Sequence, residues 1–114
     1  MSDDHQHRKP RANPEAPVTN MVTYVPKPGK EAELLELVKK HEPALRQVGL
    51  VTSEPFRLWK AYDIRKKRVQ FIEYFVWKDG NSSDVAHQTP EIMAVWEPMG
   101  PVLEELTICE VEPL

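Results

Sequence analysis

A chain of 114 residues has room for a single domain, and its formal net charge of −3 speaks against a dedicated nucleic-acid binder, which carries a basic face. No apolar run approaches the roughly 20 residues of a membrane span, and the first residues lack the apolar centre of a signal peptide. Cys109 is the only cysteine, so no internal disulfide forms and the chain fits a reducing cytoplasm.

Met1 to Pro17 holds polar residues and prolines with no apolar run. That composition predicts a disordered tail over residues 1–17 and one folded domain over 18–114. Val18 to Val25 reads as a strand, with Val18, Asn20, Val22 and Tyr24 on one face. Pro26 to Gly29 ends it. From Lys30, the residues Leu34, Val38, His41, Leu45 and Val48 recur at helical spacing. Pro43 is expected to kink that helix and Gly49 to stop it in a left-handed turn. Val51 to Tyr62 is a second strand candidate, in which Pro55 argues for an edge or a bulge.

After the polar turn Asp63 to Lys67 comes the strongest strand, Val69 to Trp77. Asp79 to Ser83 supplies a turn and helix N-caps, and a short helix runs through His87. Thr89-Pro90-Glu91 opens another helix with a cap, a proline at the first position and an early acid. Its apolar stripe, Ile92, Trp96, Met99, Leu103 and Leu106, is interrupted by Pro98, Gly100 and Pro101. Leu106 to Val111 closes the chain as a fourth strand.

The order is βαββαβ, an α+β fold of the ferredoxin-like kind, with both helices on one face of a four-stranded antiparallel sheet. The third strand is apolar on both faces: Val69, Phe71, Phe75 and Trp77 on one, Ile72, Tyr74 and Val76 on the other. Helices cover only one of them. The other predicts a homodimer packed sheet to sheet, a dimeric α+β barrel. A cavity between sheet and helices is then the natural site for a small aromatic or apolar molecule.

Three stretches carry a family likeness. They are Val22-Thr23-Tyr24-Val25-Pro26-Lys27-Pro28-Gly29-Lys30, the strand ending Phe75-Val76-Trp77-Lys78-Asp79, and Ala86-His87-Gln88-Thr89-Pro90-Glu91. Through them the chain resembles the antibiotic biosynthesis monooxygenase family of dimeric α+β barrels, from about Val18 to Val111. The resemblance implies oxygenation of electron-rich aromatics such as quinols and phenols without metal or flavin. It also implies a pocket histidine at His87, the candidate catalytic base. No Gly-rich phosphate loop or metal-spaced His/Cys cluster is present in the sequence, so no cofactor and no metal are expected. Haem-degrading members of the family share the opening matched by Val18-Thr19-Asn20. They also carry a tryptophan before an iron-ligating helical histidine. Trp96 stands at that helical place here and no tryptophan lies between Asp79 and Thr89, which argues against haem degradation.

Asn20 and Tyr74 are candidates to hydrogen-bond a substrate oxygen, and Trp59, Trp77 and Trp96 to floor an aromatic pocket or simply pack the core. His41, in an apolar stripe, is expected to be a satisfied core or interface histidine. Glu73, an acid among aromatics, is either a base or an inter-subunit ion-pair partner, the latter favoured. The run Arg65-Lys66-Lys67-Arg68 reads as a solvated turn, Cys109 as a small core residue, and His5 and His7 as tail. A rival function of another class stays open: a non-catalytic dimer of the same barrel that binds a small apolar metabolite or serves as an accessory subunit.

Overall fold

In the computed structural model, which describes residues 14–114, strand β1 (Val18–Pro26) lies at the centre of the sheet. It pairs antiparallel with β3 (Arg68–Trp77) on one side and β4 (Leu103–Glu110) on the other. Strand β2 (Arg57–Asp63) pairs with β3 at the far edge, giving the order β2-β3-β1-β4. This is the expected antiparallel α+β sheet. The register sets Val22 opposite Glu73 and Asn20 opposite Phe75, so Val18, Asn20, Val22 and Tyr24 share a face with Phe71, Glu73, Phe75 and Trp77. That face is buried; most alternate residues of the two strands are half-buried, with Val25 and Val76 buried as well.

The helical layer consists of α1 (Glu31–Lys39), α2 (His41–Gln47), α3 (Ser82–Ala86) and α4 (Pro90–Trp96). The single kinked helix expected from residue 30 is two helices broken at Lys40. Pro43 has no N–H to give Lys39 and crowds the preceding turn, so the break falls one turn before it. Leu34 and Val38 of α1, Leu45 of α2 and Ile92 and Val95 of α4 close over the sheet. A 3-10 segment, Glu97–Val102, follows α4 where Pro98 and Pro101 forbid α-helical bonding, and it buries Met99 and Val102. Gly49 stops α2 at φ 72°, as its position predicts.

Two strand boundaries differ from expectation. The second strand starts at Arg57 rather than Val51; upstream of Pro55 only Val51 makes an isolated bridge, to Trp77. Proline removes a ladder donor there, and the chain instead lays Phe56 against the core. The last strand starts at Leu103, three residues earlier than expected, and ends at Glu110. Cys109 is exposed, not a core residue, because it alternates onto the face away from the helices. The predicted tail over 1–17 lies mostly outside the described residues; within them, Gly80 N–H donates to the Pro14 carbonyl at 2.6 Å. Among the described residues no helix is long and apolar enough to cross a membrane.

Candidate functional site

Between the buried sheet face and the helices lies a cavity of about 210 Å³. An apolar cavity of roughly 150 Å³ accommodates benzene, so this volume suits a molecule somewhat larger than one aromatic ring. Its floor is the sheet, through Asn20, Val22 and Tyr24 of β1 and Phe75 and Trp77 of β3. His41, Ser83, His87 and Trp96 wall it from the helical side, with Leu106 and Ile108 of β4 at its margin. Those two β4 side chains are 48% and 60% exposed, so the cavity opens toward that edge. Among the described residues, no lysine, arginine, aspartate or glutamate lines it. Such a wall disfavours ligands that enter already charged, whose desolvation no fixed charge offsets.

Asn20 and His87 each offer the cavity a hydrogen-bond acceptor, while the Tyr24 hydroxyl and the Trp96 N–H of the same wall donate to other side chains. Asn20 is 6% exposed and its Oδ1 has no partner among the described residues. A buried polar atom of that kind is ordinarily satisfied, so it marks a place for a donor. His87 donates from Nδ1 to the Ser83 carbonyl at 2.8 Å, one turn back in the same helical segment, which leaves Nε2 as the acceptor of the neutral ring. Its ring packs on Trp96 with centroids 4.8 Å apart. The turn into α3 that places His87 is held by Asp79, whose carboxylate accepts from the Ser82 hydroxyl at 3.0 Å and the Asn81 N–H at 2.9 Å. The Ser82 bond first, then the Asn81 N–H, lowers the Asp79 pKa below the usual carboxylate value.

Behind this wall runs a chain of four side chains. Tyr24 donates its hydroxyl to Glu73 Oε1 at 2.7 Å, and His41 Nδ1 lies 3.0 Å from both Glu73 oxygens. Trp96 Nε1–H donates to His41 Nε2 at 3.0 Å. Indole N–H is a donor only, so His41 Nε2 is an acceptor and the neutral ring carries its proton on Nδ1, toward Glu73. The His41 ring is packed edge-on by Phe75 at 5.3 Å and by Phe56 at 6.1 Å. Burial first, then the Glu73 charge and the bond to it, raises the Tyr24 pKa well above the ordinary phenol value.

Of the site residues expected from sequence, the fold brings Asn20, Trp77, His87 and Trp96 together at one cavity. Trp59 and Tyr74 are elsewhere. Trp59 pairs with Ile72, and Tyr74 pairs with Arg57, whose guanidinium lies 5.7 Å from the Tyr74 ring centroid. Both stand on the sheet face away from the helices, so neither reaches a ligand in this cavity. Glu73 is not an inter-subunit partner but sits 2% exposed under the helices. His41 is the satisfied core histidine expected, and it also lines the cavity. Sequence reasoning treated His41 and Glu73 singly. The signal that joins them is that each is a lone polar residue on an apolar face of the same core, and such groups must satisfy each other.

No protein-family profile matches the chain, and no curated protein matches it in sequence. Solved structures do match in fold. An antibiotic biosynthesis monooxygenase superposes with a TM-score of 0.65 at 16% identity, over 85% of this chain and 98% of its own. Rv0793 from Mycobacterium tuberculosis gives a TM-score of 0.65 at 16% identity, over 87% and 96% of the two chains. PA3566 from Pseudomonas aeruginosa gives 0.61 at 18% identity, over 90% and 99%. The superposition covers nearly the whole of each chain, and the chain has the α+β fold of the antibiotic biosynthesis monooxygenases.

Proposed function

We propose that the chain is a homodimeric monooxygenase that binds a small, neutral, electron-rich aromatic alcohol in the cavity and oxygenates it with dioxygen. The observation that carries this reading is the wall itself: aromatic and aliphatic surface, no lysine, arginine, aspartate or glutamate among the described residues, and acceptors at Asn20 Oδ1 and His87 Nε2. A phenol or hydroquinone presents the complement, a flat apolar ring with hydroxyl donors at its rim. Once ionised, such a ring is electron-rich enough to reduce dioxygen itself. A carbon–oxygen bond forms at a ring carbon and the O–O bond then breaks. One oxygen stays as a new carbonyl; the other leaves as water with the ring hydrogen and the hydroxyl proton. The electrons that dioxygen gains are those the ring loses. The protein contributes orientation, proton transfer and exclusion of water.

The assay is oxygen uptake by purified protein with a panel of hydroquinones and phenols. Uptake above the buffer rate, with a quinone product carrying one labelled oxygen from ¹⁸O₂, is expected. Binding without uptake across the panel would leave a non-catalytic binding protein instead.

The dimer rests on the sheet face away from the helices, where Met21, Ile72, Tyr74 and Trp59 form an apolar patch that the described chain leaves partly exposed. Light scattering at micromolar concentration is expected to return twice the 13.2 kDa of one chain. A monomer mass would defeat this part of the reading.

A further inference from the structure

Glu73 presents an unusual electrostatic situation. Its carboxylate is 2% exposed, and its hydrogen-bond partners, Tyr24 and neutral His41, carry no charge. A buried carboxylate without a cationic partner is costly, and folds keep such groups mainly where the charge is used. The side of His41 remote from Glu73 is Nε2, an unprotonated nitrogen whose present partner, Trp96, is itself part of the cavity wall and only half-buried. The other rings in contact with His41, Phe56 and Phe75, are apolar, so among the described residues Glu73 and Trp96 are the polar side chains that face it.

We infer that His41, oriented by Glu73, is the proton acceptor of the cavity, and that a ligand hydroxyl takes the place of the Trp96 N–H at Nε2. The ligand O–H bond breaks, an N–H bond forms at Nε2, and the electron pair stays on oxygen as the phenolate. No electrons change hands in this step. Before it, the dyad holds a buried negative charge. After it, the dyad is an imidazolium–carboxylate pair, neutral as a unit, and lies against the new phenolate. His87 lacks this arrangement: it is exposed, and its Nδ1 faces a backbone carbonyl rather than a buried carboxylate. It orients the ligand at the mouth. Tyr24 and Glu73 are positioning residues, since they act through His41. The inference rests on the phenolic-ligand part of the proposed function and is independent of oxygen chemistry.

That independence selects the probe. 4-Nitrophenol is too electron-poor to react with dioxygen, fits a cavity of this size, and changes colour on ionisation. Its spectrum is taken at one pH unit below its solution pKa, where about a tenth of the free dye is ionised. With saturating wild-type protein the ionised fraction is expected to rise about fivefold, because a cation in contact shifts an acid by at least one unit. In Glu73→Gln the bound dye should return to the fraction of the free dye. In His87→Ala the affinity should fall while the bound dye stays ionised. Dye that binds wild type as the neutral phenol overturns the inference. So does ionisation that survives Glu73→Gln but vanishes in His87→Ala, and so does calorimetry showing no binding at millimolar dye. The wild-type spectrum decides even if a variant fails to fold. Ionised dye together with no oxygen uptake from any quinol would refute the monooxygenase reading and leave His41 as the acceptor.

Discussion

His41→Gln is expected to lower kcat for oxygen uptake by about 10²-fold or more, the usual scale of a lost general base. Glutamine is chosen because it keeps the local bonds: its amide can donate to Glu73 and accept from the Trp96 N–H. What it cannot do is take a proton. The loss should therefore appear in kcat, while the melting temperature and the dimer mass stay near those of the wild type. His87→Ala should act the other way, raising KM with a smaller change in kcat, since His87 touches the ligand without accepting its proton. The measurement is steady-state oxygen consumption with the best substrate of the panel, on variants of confirmed assembly. A His87→Ala enzyme that loses kcat a hundredfold, beside a His41→Gln enzyme that does not, would exchange the two assignments.

Phe75→Ala is expected to cost about 3–5 kcal/mol of folding stability, the range for removing a buried phenylalanine. Phe75 is 1% exposed and stacks on Phe56 with centroids 5.0 Å apart. It also meets Trp77 edge-on at 5.0 Å and His41 at 5.3 Å. Removing one ring thus loosens both the cavity floor and the packing that fixes the His41 imidazole. A domain of this size has on the order of 5–15 kcal/mol in all, so the variant should be close to unfolding at ordinary temperature. Urea unfolding at fixed protein concentration measures this. A loss below about 1 kcal/mol would mean that the surrounding rings collapse into the space, which their close packing opposes.

The fold was legible because its signals are periodic. Alternation in Val18 to Val25 and the 3.6-residue stripe through Leu34, Val38 and Leu45 each report which side faces the core, and the structure buries those sides. The β2 boundary was not legible in the same way. Its residues are mostly exposed on both faces, so hydrophobic alternation is too weak to mark where pairing begins. For the same reason Trp59 could not be assigned a face. Tyr74 failed on the opposite ground: β3 is apolar on both sides, and only the register of Tyr74 with Met21 and Arg57 shows that it turns away from the helices. The chain from Tyr24 to Trp96 was out of reach because its bonds join β1, β3, α2 and α4. Long-range pairing of that kind follows from strand register and from the helix break at Lys40, neither of which is a local property of the sequence.

The sheet also sorts the three tryptophans. Trp77 and Trp96 face the cavity, and Trp59 stands 45% exposed on the opposite side. The protein is therefore its own spectroscopic ruler. Indole emission from Trp77 and Trp96 responds to whatever enters between sheet and helices, most directly at Trp96, where the hydrogen bond to His41 is the one a ligand is inferred to break. Emission from Trp59 responds instead to what covers the open face. Filling the cavity and covering the sheet are thus separable as two optical signals in an unlabelled chain, with Trp59→Phe silencing one of them.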